Sequence, residues 1–142
     1  MPIPTTMSRA AILVGRVIFA AIFAMAFTFK AMGLHGTADY IASAGLPMPL
    51  VLAFLAAIFE LVLVLCFLTG AFFSEAAFAA VVYVLFLGFT FHGLGHWQAN
   101  QDEFGFFVDH FTFAAGLLFA AVHGPGDLLV LKRLRLFKPA AV

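Results

Sequence analysis

The chain is poor in the residues that usually carry chemistry or hold folds together. It has one cysteine, Cys66, in 142 residues. A single thiol excludes an intrachain disulfide and a two-cysteine relay within the chain. Cys66 lies in an apolar run and reads as a small apolar filler. Charge is equally scarce. Asp, Glu, Lys and Arg make up 10% of the chain and cancel to a formal net charge of zero. A soluble domain carries about a quarter charged residues. Zero net charge gives no indication of nucleic-acid binding. No nucleotide motif, flavin fingerprint or Glu-x-x-His pair is present, and the last of these absences argues against a di-iron bundle.

What fills the chain is apolar. Hydrophobic residues reach 65%, including 20 phenylalanines. A soluble protein of this size could not hide so much apolar surface in one core, so the solvent is lipid. A helix crosses hydrocarbon with about 20 apolar residues. Four segments qualify: Ala11–Leu34, Met48–Thr69, Ala76–Gly95 and Phe104–Val122. All four are expected to be helices, because lipid offers no other partner to backbone groups of an unclosed chain. The first could pass for a signal peptide. Arg16 interrupts its early part, however, and no small-x-small site precedes a polar mature start, so it reads as a span. The expected fold is a single all-α domain over residues 1–142, an integral membrane four-helix bundle.

Arg9 and Arg16 flank the start of the first span, and Lys132, Arg133, Arg135 and Lys138 follow the fourth. The positive-inside rule places both termini in the cytoplasm. The tail "GPGDLLVLKRLRLFKPAAV" predicts a short amphipathic helix over residues 127–138, capped by Asp127 and lying on the inner leaflet. The outer loop "TADYIASAGLP" predicts another short helix, with Thr37 as its cap and Tyr40 and Ile41 at the interface.

The remaining ionisable groups gather in the outer half of the spans. Lys30 stands about a turn below the outer end of the first span, and Glu60 near the middle of the second. Side chains tilt toward a helix N-terminus, and these two spans run in opposite directions. Lys30 therefore leans down and Glu60 up, within reach of each other directly or through a water. The stretch "FHGLGHWQANQDEFGFFVDH" supplies His92 and His96, four apart and so expected on one helical face. Asp109 and His110 enter from the next helix. Three readings follow. One is a proton-exchanging pocket for a quinone headgroup or similar ring, with Lys30 and Glu60 as its charged floor. There His92 and His110 would exchange protons or bind the ring, Asp109 would stand beside them, and His96 and Trp97 would form the rim. Another is a metal or haem site on His92, His96 and His110. The last is structural, with these residues marking the membrane boundary.

The order of these features resembles the DoxX family of small four-span bacterial and archaeal membrane proteins. The resemblance rests on "VGRVIFAAIF" with Lys30 beyond it, "TADYIASAGLPMP", "FLAAIFELVLVLCFLTG" with Glu60, "FHGLGHWQ" with His92, and "AAGLLFAAVHGPG". It covers nearly the whole chain and implies a four-span protein of the cytoplasmic membrane. It also implies a redox role, because the family is associated with quinol-linked oxidases and thiosulfate:quinone oxidoreductases. Lys30, Glu60 and His92 are the matching positions. Many relatives carry Lys-Asn entering the last span, where this chain has Asp109–His110. The expectations are a quinone-facing role, or an accessory subunit packed against a larger redox complex or a second copy of itself. Lacking its own electron-transfer motif, the chain would need a partner or a bound cofactor.

Overall fold

A computed structural model describes residues 5–98, 100–131 and 134–136. Among them are α1 (Thr5–Met32), α2 (Leu34–Ser43), α3 (Pro49–Thr69), α4 (Phe73–His92), a 3₁₀ turn (Leu94–His96) and α5 (Asp102–His123). No strand occurs among the described residues. α1, α3, α4 and α5 are long and apolar enough to cross a membrane. The four expected spans and the all-helical fold are thus present. α1 begins earlier than expected, at Thr5, and α4 ends at His92. The ends of α3 follow from local chemistry. Pro49 opens it with a φ already suited to a helix. Gly70 closes it at φ 74°, donating its N–H to the Cys66 carbonyl.

The chain forms two compact units. The first joins α1, α2 and α3 to the segment after Pro125. Ala20, Phe23, Ala53, Ala57, Leu63 and Phe67 are buried, and the alanines of α3 let α1 approach closely. The Phe67 ring meets Phe19, Phe23 and Phe73 at centroid distances of 5.9, 5.8 and 5.4 Å.

Arg16 ties the exit segment to this unit. Its side chain is buried, 3% exposed. Its guanidinium donates to the carbonyls of Pro125 (2.9 Å), Leu128 (3.1 Å), Leu129 (2.8 Å) and Leu68 (3.4 Å). Gly126 beside this cage has φ +73°, and a Cβ there would meet Ile12 at 2.9 Å. Further along, Leu131 donates to the Thr69 carbonyl, and Phe72 to that of Leu134.

These bonds correct the expected tail helix. Residues 124–131 and 134–136 are turn and irregular backbone, because Arg16, Thr69 and Phe72 take the groups a helix would bond internally. Residues 132, 133, 137 and 138 of that expectation lie outside the described residues. Asp127 caps no helix; it pairs with Arg9 at 2.8 Å. The outer helix is present as α2, but Thr37 is not its cap. Gly33 is the cap residue, and the Thr37 hydroxyl donates back to its carbonyl at 3.2 Å. Tyr40 is exposed as expected, whereas Ile41 turns inward and is buried.

The second unit, Ser74–Gly124, holds α4 from its second residue and α5. These helices meet closely at Gly88: a Cβ on it would lie 2.9 Å from the His110 Cβ. Phe89, Phe107 and Phe111 pack beside that crossing, each pair of rings 4.9 to 5.6 Å apart.

Candidate functional site

The last turn of α4 and the first two turns of α5 bring together one carboxylate and two imidazoles. His92 Nδ1 lies 2.6 Å from Glu103 Oε2. The side chains are 18% and 23% exposed, so the contact is neither fully wet nor sealed. The rings of His92 and His110 stand 5.1 Å apart at 40°. His110 Nδ1 donates to the Phe106 carbonyl one turn earlier, at 2.7 Å. The crossing at Gly88 makes this approach possible, since any side chain there would push His110 away.

The loop between these helices is pinned by Trp97. Its indole N–H donates to the His92 carbonyl at 2.8 Å, satisfying one of the orphan acceptors at the end of α4. Its ring meets Phe104 and Phe107 edge-on at 5.0 and 5.2 Å. Phe106 lies 5.4 Å from the His92 ring. The result is a half-exposed polar cluster with aromatic walls, able to hydrogen-bond a ring ligand and to hold protons.

The first unit carries its own polar pair. Lys30 Nζ lies 2.8 Å from Glu60 Oε1. The contact is direct, and the Glu60 side chain is only 2% exposed against 20% for Lys30. Opposed helix directions deliver it, as the tilt of the side chains predicts.

Other sequence candidates are placed differently. α4 ends at His92, so His96 sits on the 3₁₀ turn, exposed, and does not share a helical face with His92. Asp109 is exposed on α5. The carboxylate that reaches His92 is Glu103, a residue the sequence reading missed. The signal was available: a short connection makes α4 and α5 antiparallel neighbours, so the first turn of α5 lies level with the last turn of α4. Among the described residues, no group of three His, Cys, Asp or Glu side chains is arranged to hold a metal ion. Arg16, a topology signal in the sequence, is also a structural residue that binds the exit segment.

The family pattern of DoxX matches residues 11–93, more than half of the chain. The chain belongs to the DoxX family. Membership agrees with the multi-pass helices and makes lipid the chain's surroundings. The DoxX match contains Lys30, Glu60 and His92 and stops before Glu103 and His110. The inner membrane protein YphA of Escherichia coli (strain K12) is 29% identical over 126 residues, covering 86% of this chain and 89% of that protein. No solved structure matches the chain.

Proposed function

We propose that this DoxX-family protein has a redox-linked role and meets a quinone-type ring at the His92–Glu103–His110 cluster. The observation that carries the reading is the pair of imidazoles 5.1 Å apart, one held on a carboxylate, beside aromatic rings. Imidazole can hydrogen-bond a ring oxygen and change its charge near neutral pH. His92 and His110 act on the ligand, and Glu103 holds His92. Trp97 supports the site through its bond to the His92 carbonyl, and His96 and Asp109 stand exposed near it in sequence. Lys30 and Glu60 are the proton-handling pair of the first unit. A deep intramembrane carboxylate is costly to keep and is more often functional than ornamental. The relative's name supports an inner-membrane location, and the basic flanks support cytoplasmic termini.

The chain has no electron-transfer motif of its own, so it works with a partner redox subunit or a second copy of itself. That feature also favours a second reading, an accessory subunit that binds no ligand. A metal site on His92, His96 and His110 would need the three to converge, and no such group occurs among the described residues; a haem, which needs only one or two imidazoles, is a separate alternative.

The test is to purify the full chain from its membrane, extract it and assay for quinone. The same measurement is paired with Glu60→Gln and His92→Ala and the quinone-coupled activity of host membranes. Bound quinone and a loss of activity in both variants are expected. Absence of quinone together with unchanged activity would reject the reading. A stable association with a larger complex, without any ligand, would favour the accessory role.

A further inference from the structure

The segment that leaves α5 is held by its backbone and yet presents apolar side chains at the surface. The Leu131 N–H donates to the Thr69 carbonyl at 3.0 Å, and the Phe72 N–H to the Leu134 carbonyl at 2.8 Å. Thr69 is the last residue of the span α3, so these bonds fix the segment at the level where that span ends. Arg16 holds it further through the carbonyls of Pro125, Leu128 and Leu129. Val130 is half-buried against Gly70, where a Cβ would lie 2.9 Å from its Cγ1. Leu129, Leu131 and Leu136, by contrast, are 75%, 77% and 71% exposed. Leu134 is 46% exposed, and Arg135 next to it is exposed. Tucking these leucines inward would mean breaking the bonds that hold the backbone.

We infer that this segment is a lipid-docking foot: its leucines enter the boundary between headgroups and acyl chains, and Arg135 binds the phosphate of an anionic phospholipid. The combination of side chains decides the occupant. Exposed leucines disfavour open water, a guanidinium disfavours hydrocarbon, and the membrane interface accommodates both. Charge then selects the headgroup. Residues 127–138 hold four basic residues and one acid. That acid, Asp127, pairs with Arg9 at 2.8 Å. Of the four cations, Arg135 is among the described residues, and Lys132, Arg133 and Lys138 add their charge by sequence alone. A guanidinium binds phosphate through two parallel N–H···O bonds. A zwitterionic headgroup brings an ammonium with its phosphate, and a net-anionic one does not, so the anionic lipid is preferred. Arg16 is the positioning residue. It is buried and meets no lipid, but it holds the foot at headgroup depth in advance, which lowers the ordering cost of binding. This surface is independent of the α4–α5 cluster.

The experiment uses the full chain in nanodiscs of phosphatidylcholine and phosphatidylglycerol in equal amounts. Native mass spectrometry of the released protein reads which lipid stays bound. Phosphatidylglycerol should be enriched, and Arg135→Gln should lower that enrichment about fivefold, the effect of one cation near an anionic surface. The side chain is exposed, so the fold should survive, which a circular dichroism melt checks. Arg16→Lys should lower the enrichment too, although it keeps the charge, because the foot is no longer held in place. Free glycerol phosphate should not displace the lipid, since it offers the leucines no acyl chain. Leu131→Trp, read against the Trp97 background, should be quenched by phosphatidylglycerol brominated near the top of its acyl chains. Equal retention of the two lipids, or an enrichment that Arg135→Gln leaves unchanged, would overturn the inference. Displacement by glycerol phosphate, or an unquenched Leu131→Trp, would overturn the assignment to lipid. An enrichment that survives Arg16→Lys intact would overturn the positioned foot in favour of diffuse charge attraction.

Discussion

Glu60 is a carboxylate placed where water is scarce, with its side chain 2% exposed. Its stability there depends on Lys30 at 2.8 Å. Removing one member of a buried pair strands the other, at a cost of roughly 3–5 kcal/mol. Replacing both with apolar groups of similar volume is often neutral, because no desolvated charge remains. Lys30→Met should therefore lower the thermal midpoint of the protein in detergent clearly, while Lys30→Met combined with Glu60→Leu should recover most of the loss. Circular dichroism melts check this. A double variant as unstable as the single one would show that packing, not the unpaired charge, is what the single change breaks. The pair was legible in the sequence because helix direction and side-chain tilt suffice to bring two residues on adjacent spans together. Glu103 was not, because depth and spacing drew attention to Asp109, and only the register of the α4–α5 connection decides which acid reaches His92.

Elements were legible to different degrees for physical reasons. Spans follow from long apolar runs, since lipid compels helix formation. The tail followed the opposite logic. Its leucine spacing fits a helix, but its carbonyls at Pro125, Leu128 and Leu129 are taken by Arg16. Tertiary hydrogen bonds overrode local pattern, and nothing in the tail's own residues reveals that. Arg16→Lys should release this strap, because one ammonium cannot fork to carbonyls spread over several residues. Each lost charge-assisted bond is worth about 1.5–3 kcal/mol. Limited proteolysis should cut the variant's exit segment well before the wild type's; equal cleavage rates would refute the strap. The α4–α5 pairing is tested by Gly88→Ala. The added Cβ would stand 2.9 Å from the His110 Cβ, so the helices or the ring must shift, at about 1–3 kcal/mol. The expected readout is a changed His110 imidazole resonance in nitrogen-15 NMR, with the His92–Glu103 contact retained. An unchanged His110 resonance would mean that the crossing is looser than the close approach implies.

At the scale of the whole molecule, the Arg9–Asp127 pair constrains topology. Arg9 opens α1 and Asp127 follows α5, yet their side chains meet at 2.8 Å within one compact unit. The start of the first span and the exit from the last therefore lie on one side of the membrane, as four crossings require. Which side follows from charge. Arg9, Arg16, Lys132, Arg133, Arg135 and Lys138 flank these ends, and Lys30 alone belongs to the other side. By the positive-inside rule, such an asymmetry predicts that the basic ends are cytoplasmic. A green fluorescent protein fused at either terminus should fluoresce in bacterial cells, while alkaline phosphatase at the same points should stay inactive. Phosphatase activity at both ends would keep the shared side and reverse the orientation. Activity at one end only would break the link between Arg9 and Asp127, and with it the four-crossing path of the chain.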